Sequence, residues 1–253
     1  MVEMAIFIDV SKCTGCRSCQ VACKNWNQLK AEQTTNRGTH ENPPDLSATT
    51  WNRVRFNEVV KDGKLDWLFL NERCRHCEEP PCMFAAEDVP GAIIKDKSGA
   101  VIFTEKTKQL NYEDVRGSCP FDIPRLDEET GQIYKCTMCV DRTANGLKPA
   151  CVTACPTGTL NYGPKVEMLK LAKKRVEELG GDAALYPGEE YNTFWVLPEP
   201  EQDYGLEAKA TVAKPRKFAW DKLLSPWGTL GLAAAFIGSL SKEDGVTDQE
   251  QAK

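Results

Sequence analysis

The cysteines are the residues of this sequence whose type and spacing could do chemistry. The 253-residue chain has twelve of them. Three triplets are Cys13, Cys16 and Cys19; Cys74, Cys77 and Cys82; and Cys136, Cys139 and Cys151, while the single residues are Cys23, Cys119 and Cys155. A closely spaced triplet with a distant fourth cysteine is typical of one [4Fe–4S] cluster. The twelve cysteines therefore predict three complete clusters and a protein that transfers electrons.

The first of these groups has the spacing of a bacterial ferredoxin motif. Cys13, Cys16, Cys19 and Cys23 form C-x2-C-x2-C-x3-C. In ferredoxins with two clusters, the fourth cysteine of such a run binds the cluster of the other run. Cys119 and Cys155 are each followed by proline, as is the last cysteine of the bacterial ferredoxin motif, whereas Cys23 is followed by Lys24. We therefore expect the three single cysteines to act as fourth ligands.

Two other kinds of cysteine site fit the sequence less well. Disulfide frameworks are typical of short secreted domains, whereas this chain is long and its cysteines are crowded. Zinc is the stronger alternative, because two C-x2-C pairs supply the four thiolates of a structural zinc site. Such sites do not normally place three cysteines in succession or end in Cys-Pro. Iron–sulfur clusters are preferred, and a four-cysteine zinc scaffold is kept as the alternative.

Charge and composition limit the class of function. The formal net charge of −5 argues against nucleic-acid binding, which favours a basic surface. The two histidines, His40 and His76, leave little material for haem ligation. His76 stands between Cys74 and Cys77, where it could bond to a cluster sulfur or equally face water or a partner. No catalytic Ser/His/Asp set, phosphate loop or carboxylate pair is recognisable, so no bond-making catalysis is expected of this chain alone.

Basic residues close to the cysteines could tune a metal centre. A nearby positive charge favours the reduced, more negative state of a cluster. For any single one of these residues, a solvated surface charge is the preferred interpretation. The candidates are Lys12, Arg17, Lys24, Arg73, Arg75, Lys135 and Arg142.

Short helices and strands between the cysteines predict an α+β fold. Predicted strands cover residues 5–10, 51–60, 65–70, 92–95, 100–104 and 159–162, and a short helix lies within 16–26. Pro164 begins an amphipathic helix that ends near Leu179, before two glycines. Its expected apolar stripe is Val166, Leu169, Ala172, Val176 and Leu179.

With these motifs the chain resembles the iron–sulfur (beta) subunits of molybdenum or tungsten formate dehydrogenases. The resemblance covers about residues 1–165 and rests on CQVACKNWNQ at 19–28, ENPPDL at 41–46, CRHCEEPPC at 74–82 and CTMCVDRTANGLKPACVTACPTG at 136–158. The cysteine motifs alone are shared with subunits of nitrate, dimethyl sulfoxide and polysulfide reductases. The equivalent subunit of another molybdopterin oxidoreductase is therefore the alternative function.

The resemblance implies which cysteines share a cluster. Site I would contain Cys13, Cys16, Cys19 and Cys155; site II would contain Cys23, Cys136, Cys139 and Cys151; and site III would contain Cys74, Cys77, Cys82 and Cys119. Four-cluster members of the group have four more cysteines, where this chain has Ala86, Gln109, Tyr112 and Val115. Those four positions are the ligands of a single cluster, so the resemblance implies a three-cluster protein from which one site has been lost whole.

The resemblance also implies the architecture. We expect two pseudo-symmetric bacterial-ferredoxin-like lobes with inserted loops and a C-terminal helical extension. The expected segments are a two-cluster lobe from 1–60 with 120–163, a one-cluster lobe at 61–119, a partner-wrapping extension at 164–222, an apolar helix at 223–241 and an acidic tail at 242–253.

Partners and location follow from the same resemblance. A large subunit with a molybdenum or tungsten pterin would oxidise formate or reduce carbon dioxide, and a cytochrome b or c subunit could accept the electrons. Residues 223–241 carry no charge and are long enough either to cross a membrane or to pack on a partner. The N-terminus has no signal peptide. Export with a signal-bearing partner, to a membrane-associated or periplasmic site, is expected, with the cytoplasmic side as the alternative.

Overall fold

The computed structural model describes residues 2–206. The expected apolar helix at 223–241 and the acidic tail at 242–253 lie outside the described residues. Within them, no helix combines the length and the hydrophobicity needed to cross a membrane.

Short helices and strands alternate along the chain, and the α+β prediction is confirmed. The strands are β1 (Met4–Asp9), β2 (Arg53–Lys61), β3 (Lys64–Glu72), β4 (Ile93–Lys95), β5 (Val101–Phe103), β6 (Arg125–Leu126), β7 (Ile133–Tyr134), β8 (Leu160–Pro164), β9 (Ala184–Tyr186) and β10 (Thr193–Leu197). The helices are α1 (Ser18–Trp26), α2 (Pro81–Phe84), α3 (Tyr112–Ser118), α4 (Val140–Thr143), α5 (Ala150–Thr153) and α6 (Lys165–Leu179). Short 3₁₀ turns cover Val10–Lys12, Glu105–Gln109 and Glu201–Tyr204.

A four-stranded sheet in the order β8-β1-β10-β9 forms the core. β1 runs antiparallel to β8 and parallel to β10, with Phe7 opposite Phe194. Both central strands are buried apolar runs, as expected for strands covered on both faces. Ile6 and Ile8 point toward the cysteine loops, and the alternate residues of β1 point toward α6.

β9 and β10 belong to the part of the expected extension at 164–222 that the structure describes. The sequence predicts that residues 182–215, which are rich in proline, glutamate and tyrosine, wrap over a partner or over the ferredoxin-like lobes. The five-residue run of β10 instead lies between β1 and β9, and the side chains from Phe194 to Leu197 have no exposed surface. The apolar side chains of β10 determine where this segment lies. Burying them removes more apolar surface from water than burying the polar residues on either side of them could.

Helix α6 begins after Pro164 and ends before Gly180, as predicted. Its buried face contains Met168 and Ala172, with Leu169, Val176 and Leu179 at the edges. Val166 was expected in this stripe but is 80% exposed. It lies about 120° around the helix from Ala172, at roughly 100° per residue. Met168 contributes to the buried face of the helix instead of Val166.

The hairpin of β2 and β3 is paired from Arg53 opposite Glu72 to Lys61 opposite Lys64. Its turn, Asp62-Gly63, has positive φ at both residues, the geometry that suits a tight hairpin. The expected lobe boundary between residues 60 and 61 falls inside this hairpin. A lobe cannot be divided there, because the two strands share one ladder of backbone hydrogen bonds. The smaller hairpin of β4 and β5 forms as predicted.

Candidate metal centres

The four cysteines predicted for site III surround one cavity. The cavity has a volume of about 360 Å³, measured to its open mouth, and Cys74, Cys77, Cys82 and Cys119 all line it. Prolines and apolar side chains make up most of the remaining wall, together with Arg75 and Lys135. The structure therefore brings together a triplet and a single cysteine that are far apart in sequence.

Site II has the same arrangement. A second cavity of about 290 Å³ is lined by all four of its cysteines, Cys23, Cys136, Cys139 and Cys151. Trp51, Met138 and Arg73 complete much of the wall. Cys23 reaches this site from α1, and Cys151 reaches it from α5.

Site I lies closer to the protein surface. Cys16 is exposed, Cys13 and Cys155 are partly buried, and Cys19 is buried. Burial raises the pKa of Cys13 and of Cys19, and negative charge on Cys155 adds to the shift in both. Cys155 therefore lies near these two cysteines of the first motif.

Sites II and III each surround a volume with four thiols, which suits the iron and sulfide atoms of a [4Fe–4S] group. Among residues 2–206, no group of three or more His, Cys, Asp or Glu side chains is arranged to hold a single metal ion.

The first C-x2-C step of each triplet has the same backbone geometry. The residue before its second cysteine has positive φ in all three triplets, at Gly15, His76 and Met138. The N–H groups of His76 and Met138 then point to Cys74 Sγ and Cys136 Sγ, each at 3.4 Å. Left-handed backbone is unfavourable for histidine and methionine, and strain of this kind is concentrated at functional sites.

Burial keeps most of these thiols protonated when no metal is bound. Burial raises the pKa of Cys19, Cys82 and Cys139 to about 12. At the surface, hydrogen bonding with Ser18 lowers the pKa of Cys16. Thiols bind metal as thiolates, so loading the buried positions releases protons.

Three side chains donate N–H groups to cysteine sulfurs. Asn71 Nδ2 lies 3.2 Å from Cys19 Sγ, and Asn27 Nδ2 lies 3.6 Å from Cys23 Sγ. Arg73 Nη1 lies 3.1 Å from Cys151 Sγ. Sequence reasoning identified Arg73 but missed both asparagines, because no local pattern distinguishes them from ordinary polar residues.

Three of the seven basic candidates are buried, so the preferred surface interpretation is wrong for them. Arg73, Arg75 and Lys135 are at most 4% exposed. Arg75 stacks on Phe121 and Trp195, and Lys135 donates to the carbonyl oxygen of Cys136 at 2.9 Å. The other four have ordinary partners: Lys12 pairs with Asp9, Arg17 lies over Phe56, Lys24 donates to Thr49 O, and Arg142 lies over Trp26.

His76 is fully buried, which excludes the interpretation that it faces water. Its Nδ1 accepts the N–H of Val101 at 3.0 Å. Burial and the nearby positive charge of Lys135 hold its pKa well below the usual range, so the imidazole is neutral. Its Nε2 is buried without a hydrogen-bond partner in the part of the chain that the structure describes, and it is free to donate to a bound group.

Apolar side chains fill the region of the missing fourth site. Ala86 and Val115 are buried in a cluster with Ile93 and Ile133, and Tyr112 packs at its edge. Gln109, the fourth position, is exposed. A small hydrophobic core thus stands where the resemblance places the lost ligands.

Site II lies next to both other sites. Burial is the largest cause that raises the pKa of Cys19 in site I and of Cys136 in site II. Negative charge on Cys151 of site II adds to the shift of Cys19, and negative charge on Cys74 of site III adds to the shift of Cys136.

Comparisons with known proteins identify 4Fe–4S domains in this chain. A model of the 4Fe–4S dicluster domain matches residues 65–165, and a model of the 4Fe–4S binding domain matches residues 4–25. The formate dehydrogenase subunit beta of Megalodesulfovibrio gigas is 49% identical over 181 residues, covering 70% of this chain and 84% of that protein.

Two further relatives extend the similarity. The formate dehydrogenase 2 subunit beta (cytochrome c-553) of Nitratidesulfovibrio vulgaris is 44% identical over 209 residues, 79% of this chain and 95% of that protein. The iron–sulfur subunit of the nitrate-inducible formate dehydrogenase of Escherichia coli is 40% identical over 248 residues, 93% of this chain and 83% of that protein. With its ferredoxin-like 4Fe–4S domains, the chain is an electron-transfer component and belongs to the iron–sulfur (beta) subunits of formate dehydrogenases.

Proposed function

We propose that this chain holds three [4Fe–4S] clusters, at sites I, II and III, and carries electrons between a formate-oxidising catalytic subunit and an outside acceptor. The observation that carries the proposal is the enclosure of two cavities, each by one triplet and one distant cysteine. When bound, such clusters accept and release one electron at a time.

The protein contributes thiol ligands, apolar walls and buried positive charge. Twelve thiols hold the three groups, and the apolar walls around sites II and III exclude water. Buried N–H groups and cations compensate for the negative charge that arrives with each electron. Sites I and II would form a two-cluster lobe, and site III a lobe whose second position is filled by apolar side chains.

Sites I and III are the points at which electrons would enter and leave the subunit. Cys16 is exposed in site I, and Cys77 and Cys119 are partly exposed in site III. Site II is enclosed, with all four cysteines buried. Electrons would therefore enter at site I or III and leave at the other end, and the direction would reverse during carbon dioxide reduction.

The names of the relatives support a catalytic partner subunit, and the resemblance supplies the proposed nature of the partners. The catalytic subunit would carry a molybdenum or tungsten pterin, and the acceptor would be a cytochrome b or c. The complex would be membrane-associated or exported with a signal-bearing partner, and the twelve cysteines would be loaded before export.

Purification of the native complex tests the proposal. Formate should bleach the visible cluster absorption, and iron analysis of this subunit should give about twelve atoms, four for each of three clusters. About eight atoms would contradict the three-cluster count, and zinc in place of iron would exclude the electron-transfer role. Reduction by the substrate of another molybdopterin enzyme, without any by formate, would favour the alternative function.

A further inference from the structure

Lys135 is a buried lysine whose ammonium group bonds to neutral groups. It follows β7, directly before Cys136, and is 4% exposed. Its Nζ donates to the carbonyl oxygen of Cys136 at 2.9 Å and to that of Val101. It also lies 4.7 Å from the centre of the Phe103 ring. Carbonyl oxygens and an aromatic face suit an ammonium group, but they supply no full negative charge.

Three other cations of similar burial have carboxylate partners. Arg53, Arg125 and Lys165 each form an ion pair with an acidic side chain, and none of them lines either cavity. Lys135 lines the cavity of site III and forms no such ion pair within residues 2–206. An unpaired buried charge strongly destabilises a fold. A group held in the cavity by thiolates would supply the negative charge that Lys135 lacks.

The contacts of Lys135 reach both site II and site III. Its side chain forms part of the wall of the cavity that the four cysteines of site III surround. The same side chain bonds to the carbonyl oxygen of Cys136, which lines the cavity of site II. Neither hydrogen bond of the ammonium group, nor its ring contact, involves a cysteine of site I.

Val101 connects Lys135 to the cysteine loop of site III. Its N–H donates to Nδ1 of His76, which lies between Cys74 and Cys77, at 3.0 Å. Its carbonyl oxygen accepts from Lys135 Nζ. A chain of buried hydrogen bonds therefore runs from the loop of site III through Val101 and Lys135 to the backbone of site II, and it fixes the position of the ammonium group.

We propose that Lys135 is a positioning residue shared by sites II and III, which raises the reduction potentials of both clusters. This inference rests on the proposed function. A fixed positive charge stabilises an added electron, and its effect decreases with distance. An electron that passes between sites II and III would then stay close to the same cation. An ammonium group has three N–H donors, and two of them bond to carbonyl oxygens, so one is left for the group in the cavity.

Three variants of the complete subunit in its complex test the proposal: Lys135→Met, Lys135→Arg and Lys106→Met. Lys106 is the matched control, because it is exposed, donates to the carbonyl oxygen of Pro90 and lines neither cavity. Redox titration monitored by electron paramagnetic resonance gives the potentials, and chemical analysis gives the iron content. The signal altered in Cys82→Ser belongs to site III, and the signal altered in Cys136→Ser belongs to site II.

Removal of the charge should act on two clusters. In Lys135→Met, the potentials of sites II and III should both shift to more negative values, and the potential of site I should shift less than either. Lys135→Arg should keep the potentials near those of the original protein, because it retains the positive charge. Lys106→Met should change none of the three.

Each result decides the proposal. If Lys135→Met keeps about twelve irons and neither potential moves, or only one does, the shared role is excluded while the proposed function stands. An equal shift at all three sites, or the same shifts in Lys106→Met or Lys135→Arg, also excludes it. If Lys135→Met loses iron, recovery of the iron and the potentials in Lys135→Arg supports the role of charge, and equal loss in Lys135→Arg overturns it. Fewer than about twelve irons in the original protein would refute the proposed function itself.

Discussion

Asn71 donates its side-chain N–H to the sulfur of Cys19 at 3.2 Å, although 52 residues separate them. The amide is held by Asn52, whose Oδ1 accepts from Asn71 and whose own Nδ2 donates to the carbonyl oxygen of Cys19. A buried pair of asparagines at the base of the β2–β3 hairpin thus orients a donor toward site I. Hydrogen bonds to a ligating sulfur raise the potential of a cluster, because they stabilise added negative charge.

Removing this donor should lower the potential of one cluster. For Asn71→Ala we expect the site I potential to fall by about 40 mV, the equivalent of about 1 kcal/mol for one electron. The potentials of sites II and III should not change. Redox titration of the complex measures all three. Asn57→Ala is the matched control, since Asn57 lies on the same hairpin and donates only to the carbonyl oxygen of Leu68. An equal shift in that control would rule out the specific contact.

Loss of one ligand in site III should remove one cluster. In Cys82→Ser the iron content should fall by up to about four atoms per chain, while the signals of the other two clusters remain. The reason is that site III has its own cavity and shares no cysteine with site II. Iron analysis and the visible spectrum measure the loss. Met83→Ser, an exposed neighbour, should keep all the iron. Loss of all clusters from Cys82→Ser would show that the sites do not form independently.

The apolar filling of the lost site should stabilise its lobe. Val115→Ala should cost about 2 kcal/mol, which corresponds to a roughly 30-fold larger population of the opened lobe. Val115 has no exposed surface, and its removal leaves a cavity beside Ile93 and Ile133. Gln109→Ala is the control, because Gln109 is exposed. The rate of limited proteolysis compares them. Equal rates for the two variants would mean that the cluster contributes nothing to stability.

Glu32 should make the loop around residues 47–50 sensitive to acid. Burial raises the pKa of Glu32, but hydrogen bonds from Ser47, Thr49 and Thr50 outweigh it and hold the pKa below the usual 4.5. A lowered pKa in the folded state contributes stability above the unfolded pKa, and this is lost as the pH falls through the folded value. Glu32→Gln should therefore cost about 1 kcal/mol at neutral pH, after allowance for partial solvent screening.

The difference in melting temperature between the original protein and Glu32→Gln measures this effect. It should be constant from pH 8 to about 5 and should shrink below about 4.5, where the original protein loses its carboxylate. Glu128→Gln, an exposed substitution, controls for general acid effects on the clusters. A difference that grows on acidification would contradict the assigned direction of the pKa.

Local patterns predicted the parts of the fold whose signals are short in range. The Asp62-Gly63 hairpin, the strand before Cys13 and the start and end of α6 all follow from neighbouring residues. Val166 was misplaced because a stripe at helical spacing does not show which edge of the stripe faces the sheet. β10 was missed because its four apolar residues are averaged with the polar segments on either side of them.

Cysteine spacing determined the chemistry of this protein, because thiols at x2 steps can wrap only a compact metal centre. The family pattern then assigned the twelve cysteines to three sites, and in the structure the cysteines of site II line one cavity and those of site III line another. The tertiary structure alone determined which basic residues lie out of water and close to a cysteine sulfur. Lys24 and Arg73 look equivalent in sequence, as basic residues next to a cysteine. Folding takes Arg73 away from water and places its guanidinium against the sulfur of Cys151, whereas Lys24 donates to the carbonyl oxygen of Thr49. The removal of a charged side chain from water depends on neighbours that are distant in the chain. The influence of that charge on the electrons of a bound cluster therefore depends on them as well.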